Sequence, residues 1–85
     1  MNIITNEKNE LIKIFPNPVN NILIINCEDI RETTMQIINM IGECVLQQKL
    51  NSEVNEINVS LLAKGMYIIK LNGKNYTEQK KLTKE

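Results

Sequence analysis

Met66-Tyr67-Ile68-Ile69-Lys70-Leu71-Asn72-Gly73, followed after Lys74-Asn75 by Tyr76-Thr77-Glu78-Gln79-Lys80-Lys81-Leu82-Thr83, is the stretch that decides the fold. Tyr67, Ile68 and Ile69 lose χ1 freedom in a helix and pack well on a pleated surface. Asn72-Gly73 is the strongest short-range hairpin signal in the chain. The stretch predicts two antiparallel strands, Met66–Leu71 and Tyr76–Thr83. Gly65 and the Tyr-Ile-Ile run argue against a helix from Ser60 to Lys70.

Working upstream, Ser60-Leu61-Leu62-Ala63-Lys64-Gly65 reads as one helical turn, with Ser60 as N-cap and Gly65 as its left-handed stop. Glu56-Ile57-Asn58-Val59 alternates with period two. Thr33–Met40 and Glu43–Leu50 flank Ile41-Gly42 and predict a hairpin. Ile22–Cys27 is rich in β-branched residues. Leu11–Phe15 leads into Pro16-Asn17-Pro18, where two prolines remove backbone donors and must interrupt pairing. Residues 1–10 read as a polar linker and 11–85 as one domain. Seven short strands, with turn signals about every 8 to 12 residues, predict an all-β antiparallel sandwich. Alternation then places Leu23, Ile25, Cys27, Met35, Ile37, Val45, Ile57, Val59, Tyr67, Ile69 and Leu71 inward. It places Ile22, Ile24, Ile38 and Ile68 outward.

Composition narrows the function classes. The chain has 85 residues, 10 Lys+Arg against 10 Asp+Glu, and no His or Trp. That length holds one small domain whose core is thin, since about 60–65% of the unfolded surface is buried at this size. Absence of His removes the commonest metal ligand and the side chain that titrates near neutrality, which argues against a metal centre or acid–base enzyme. Zero net charge argues against a nucleic-acid binder. The first ten residues lack a basic region followed by an apolar core of about 7–15 residues, so no export leader is expected within the chain itself. Its longest apolar runs are four residues, far short of the roughly 20 that span a bilayer.

The remaining chemical candidates have modest readings. Cys27 and Cys44 lack CxxC spacing and sit out of phase, so two unpaired thiols are expected, Cys27 as a small buried hydrophobe. Glu28, Asp29 and Glu32 cluster without calcium-loop spacing and with Arg31 among them, which reads as a solvated loop. Ser60 has no His partner and serves as a cap. The three glycines are isolated turn residues, with no phosphate-binding loop. The one concentrated basic feature is Lys80-Lys81-Leu82-Thr83-Lys84-Glu85, read either as an edge strand defended by lysines or as a terminal tag presented to a receptor.

Ile14-Phe15-Pro16-Asn17-Pro18-Val19-Asn20-Asn21-Ile22-Leu23-Ile24-Ile25 resembles the opening of the type A C-terminal sorting domain of the Bacteroidetes type IX secretion (Por) system, an aromatic-Pro-Asn-Pro turn before a strand. Met35–Val45, with Gly42 between strands, resembles its next feature. Ile57–Leu71 resembles the third, and Lys80-Lys81-Leu82 resembles its basic ending. Met66 stands where the family more often has a β-branched residue. The resemblance implies an immunoglobulin-like sandwich of about seven strands at the end of a secreted protein. It implies a non-catalytic address label without cofactors. The label would be recognised by the outer-membrane translocon after the cargo reaches the periplasm, and would commonly be removed by a sortase as the cargo is secreted or attached to the cell surface.

Family-characteristic positions are Pro16, Asn17, Pro18, Gly42, Gly65, Tyr67 and Lys81, and translocon recognition is expected at Lys80, Lys81 and Lys84. The chain is expected to be an excised domain with an added start residue, with sortase cleavage in or before Met1–Asn9. The competing class is a small immunoglobulin-like module that binds carbohydrate or protein. A glycan platform leans on exposed aromatics, and this chain offers Phe15, Tyr67 and Tyr76, two of them expected at least partly buried.

Overall fold

Period-two alternation carries through to the tertiary structure. A computed structural model describes residues 12–85; the expected linker over 1–10 and the cleavage position lie outside them. Seven strands follow in order: β1 Ile12–Phe15, β2 Ile22–Cys27, β3 Thr34–Asn39, β4 Cys44–Lys49, β5 Val54–Asn58, β6 Gly65–Asn72 and β7 Thr77–Lys84. They form two antiparallel sheets, β1-β2-β5 and β4-β3-β6-β7. Chain crossings at β2–β3, β4–β5 and β5–β6 make this an immunoglobulin-like sandwich. The core between the sheets holds Leu23, Ile25, Cys27, Met35, Ile37, Ile57, Val59, Tyr67, Ile69 and Leu71, all expected inward. Ile12, Val19, Leu50 and Leu82 join them.

Val45 is the exception. It is 40% exposed, and Leu46 packs against the core in its place. The register jumps from Ile37↔Leu46 to Ile38↔Cys44, so Val45 is the extra residue of a β-bulge. A bulge reverses the phase of alternation, which a reading of β4 alone does not reveal. Gly42 takes φ 91° in the β3–β4 turn as expected, and Asn39 Oδ1 accepts from the Ile41 and Glu43 N–H groups there at 3.1 and 2.9 Å.

Ser60–Gly65 is not a helical turn, and Ser60 is not its cap. Asn58 Oδ1 accepts the Ser60 N–H at 2.9 Å and the Val59 carbonyl accepts the Leu62 N–H at 3.0 Å, which turns the chain from one sheet to the other. Gly65 does take positive φ, at 147°, but as the first residue of β6. The Tyr67 hydroxyl donates to the Ala63 carbonyl at 2.6 Å. A tyrosine at the start of this strand, bonded to backbone a few residues upstream, is the tyrosine corner of immunoglobulin-like sandwiches. It pins the crossing and explains Tyr67 without invoking a ligand.

Asn72-Gly73 does not make a two-residue turn. Asn72 pairs with Thr77, the Gly73 N–H donates to the Tyr76 carbonyl at 2.9 Å, and residues 73–76 form the loop. Tyr76 is therefore outside β7. Its ring lies over Gly73, where any Cβ would collide with it, so the glycine is needed for close approach.

Candidate functional site

Pro16 and Pro18 end β1 and send the chain across the open side of the sandwich, from the three-stranded sheet to the rim of the four-stranded one. Asn17 and Val19 then bond to the outer edge of β7. The Asn17 side chain accepts the Thr83 N–H at 3.0 Å and donates to the Lys81 carbonyl at 3.1 Å. The Val19 N–H donates to the Thr83 carbonyl at 2.9 Å, and the Val19 carbonyl accepts the Glu85 N–H at 2.8 Å. Asn17 thus acts as a short piece of strand made of one amide side chain. Both prolines lack N–H groups that would need partners in this exposed crossing, and fully buried Val19 anchors it.

Pro-Asn-Pro and the basic C-terminal strand, more than sixty residues apart in sequence, are therefore one surface. Replacing Asn17 by alanine removes two exposed hydrogen bonds at about 1 kcal/mol net each. We expect an unfolding free energy lower by about 1 to 2 kcal/mol, with faster amide exchange at Thr83 and Glu85. An unchanged urea midpoint together with unchanged exchange would contradict the clasp.

Lys80, Lys81 and Lys84 do not form a cluster. Lys81 pairs with Ile68 on the outward face and is exposed, whereas Lys80 pairs with buried Ile69 and faces the rim of the inner side. Lys84 is only 7% exposed, and its ammonium donates to the Glu85 carbonyl at 3.1 Å. Of the three expected recognition lysines, Lys81 stands free on the surface beside the clasp, Lys80 is half-buried and Lys84 is tucked in. Burial by parity is the signal that would have sorted them: residues 78, 80, 82 and 84 share the inward phase of Leu82.

A second cluster lies under the β2–β3 connection. The Tyr76 hydroxyl donates to the Asp29 carbonyl at 2.8 Å and stands 3.0 Å from Cys27 Sγ and 3.1 Å from Thr33 Oγ1. Burial, and next the neighbouring Cys27 thiol, push the Tyr76 phenol up to about 12. The Arg31 guanidinium grips Asp29 at 2.9 and 3.0 Å, and this holds the Asp29 carboxyl down to about 2. An exposed ion pair thus sits in the charged loop above a half-buried tyrosine hub. Cys27 and Cys44 are both free thiols, the first buried and the second exposed. Nothing in the sequence spacing announced this hub, because Tyr76 and Cys27 meet only through the sandwich. Among the described residues no group of three Cys, Asp or Glu is placed to hold a metal ion.

A family model described as a secretion system C-terminal sorting domain matches residues 13–85. The endo-acting ulvan lyase of Formosa agariphila is 28% identical over 65 residues, which is 75% of this chain and 13% of that protein. Among solved structures, PorZ of Porphyromonas gingivalis, an essential bacterial surface component of the type-IX secretion system, superposes with a TM-score of 0.68 at 13% identity. The match covers 93% of this chain and 12% of PorZ. This chain therefore spans only a small fraction of either protein, and the likeness to PorZ is one of fold.

Proposed function

This chain belongs to the secretion system C-terminal sorting domain family, and from that premise we propose that it is a non-catalytic address that directs an upstream cargo across the outer membrane through the type IX translocon. The domain, residues 11–85, passes through the periplasm with its cargo and is removed by the system's sortase, leaving the cargo secreted or on the cell surface. The partial match to an endo-acting ulvan lyase supports an enzyme as the kind of cargo it follows. The observation that carries this reading is the clasp. The opening Pro16-Asn17-Pro18 motif and the basic ending around Lys81 are hydrogen-bonded into one exposed surface, so two features of the family resemblance form a single unit for a receptor.

The test is export in a host that has the type IX system. A signal peptide and fluorescent reporter are placed ahead of residues 1–85, with the reporter alone behind the same signal peptide as the comparison. Reporter outside the outer membrane is expected only with residues 1–85 attached, and its mass there should show loss of the domain. Retention of both proteins in the periplasm would remove the sorting reading.

A further inference from the structure

The clasp closes only part of the β7 edge. Asn17 and Val19 take the Lys81 carbonyl, both Thr83 backbone groups and the Glu85 N–H. In an antiparallel strand the N–H and C=O of one residue point to the same side, and the side alternates along the chain. Both backbone groups of Thr77 and Gln79, and the Lys81 N–H, therefore point away from β6. They have no partner among the described residues.

Such a row is a template for a further strand. The other three edges suit this less well: β1 has four described residues, β5 five, and β4 is bulged at Val45, whereas β7 has eight in regular register.

Charge says what kind of strand fits. The outward face of the four-stranded sheet is set by three cross-strand rows: Lys49–Thr34–Asn72–Thr77, Gln47–Gln36–Lys70–Gln79 and Cys44–Ile38–Ile68–Lys81. Those rows contain three lysines and no carboxylate, in a chain whose charges balance overall. On the other side of the β7 edge Lys80 shares its phase with Glu78, so those two charges offset and the positive excess lies on the outward face. Lysines here repel the same edge of a second copy, which favours a different, oppositely charged partner.

We infer that the Thr77–Lys81 edge takes an extended acidic segment of a protein partner as an added strand, with its carboxylates beside Lys81 and Lys70. This deepens the sorting reading, on which it rests, by naming how the address is read.

Gln79→Pro tests it. The Gln79 N–H points outward, so proline there removes a docking donor and leaves the β6–β7 ladder whole, as proline on an edge strand can. Lys81→Glu reverses the charge while keeping every backbone group. In the reporter fusion, each variant is expected to lower export at least about tenfold, the scale of one or two lost interfacial hydrogen bonds or a like-charge contact. The melting temperature should stay within a few degrees of the unaltered chain.

Normal export of either folded variant overturns strand addition and leaves the sorting reading standing. Loss with Lys81→Glu alone would assign the face to an anionic surface, such as a glycan, read by charge. Failure of the unaltered fusion to export would instead defeat the sorting reading itself. Should Gln79→Pro melt early, Thr77→Pro, which has the same outward phase at the first residue of β7, takes its place under the same two outcomes.

Discussion

Leu82→Ala is expected to lower the unfolding free energy by about 3 to 4 kcal/mol, near the middle of the range for burying and then deleting a leucine side chain. Leu82 is fully buried, pairs with Tyr67 and is the one large apolar side chain in a strand otherwise made of Thr, Glu, Gln and Lys. Its side chain holds the inner face of β7 to the core while the Asn17–Val19 clasp holds the outer edge. For a domain of this size, total stability is about 4 to 13 kcal/mol, so the loss is a large share of the whole. The melting temperature should fall by roughly 15 to 25 °C, whereas exposed Lys81→Ala should leave it nearly unchanged. A Leu82→Ala midpoint within error of the parent would mean that β7 is not integral to the core.

That result bears directly on how the address is tested. Removing Lys80–Glu85 deletes the core side chain Leu82, the Thr83 groups that the clasp binds, and buried Lys84. Loss of export after such a truncation would report unfolding. Substitutions at the open edge, chosen by phase, separate recognition from folding because they leave Leu82 and the β6 ladder in place.

Gly73→Ala is the second large effect, at about 2 to 3 kcal/mol of destabilisation from overpacking and lost hydrogen bonds. A methyl at Gly73 would lie 2.6 Å from Tyr76 Cζ and closer still to Cε1. The ring does not simply swing away, because its hydroxyl is bonded to the Asp29 carbonyl and packed against Cys27 and Thr33. The two substitutions should therefore be strongly coupled. In a Tyr76→Ala background the clash is gone, and Gly73→Ala should be neutral or stabilising by a few tenths of a kcal/mol through its effect on the unfolded chain. Denaturation of the four proteins of the cycle measures this coupling. Simple additivity of the two changes would show that Gly73 serves the turn and not the ring.

Much of the architecture was legible because its determinants are local. Strands show themselves by β-branched residues in alternation, as in Leu23-Ile24-Ile25 and Tyr67-Ile68-Ile69, and the breaks show as Pro16-Pro18 and Gly42. Where local signals misled, a non-local partner had intervened. Asn72-Gly73 advertised a tight turn, but Tyr76 is drawn out of the strand to bond the β2–β3 loop. Ser60 looked like a cap, but Asn58 took that part because the chain must cross between sheets there. At the candidate site, the lysine run and the Pro-Asn-Pro motif were each visible, and their contact was not.

From the sequence by itself came the all-β class, the number of strands, most of the core, and the resemblance to a sorting domain, each carried by side chains within a few residues of one another. Tertiary structure decided that Val45 faces out, that Lys84 is buried while Lys81 is free, that Cys27 shares a hub with Tyr76, and that Asn17 clasps the end of β7. The reason is sequence distance: the clasp joins residues 64 and 66 apart, and the hub joins residues 49 apart. A hydrogen bond of that reach exists only after two sheets have paired in one register and stacked, so its partners leave no periodic trace along the chain.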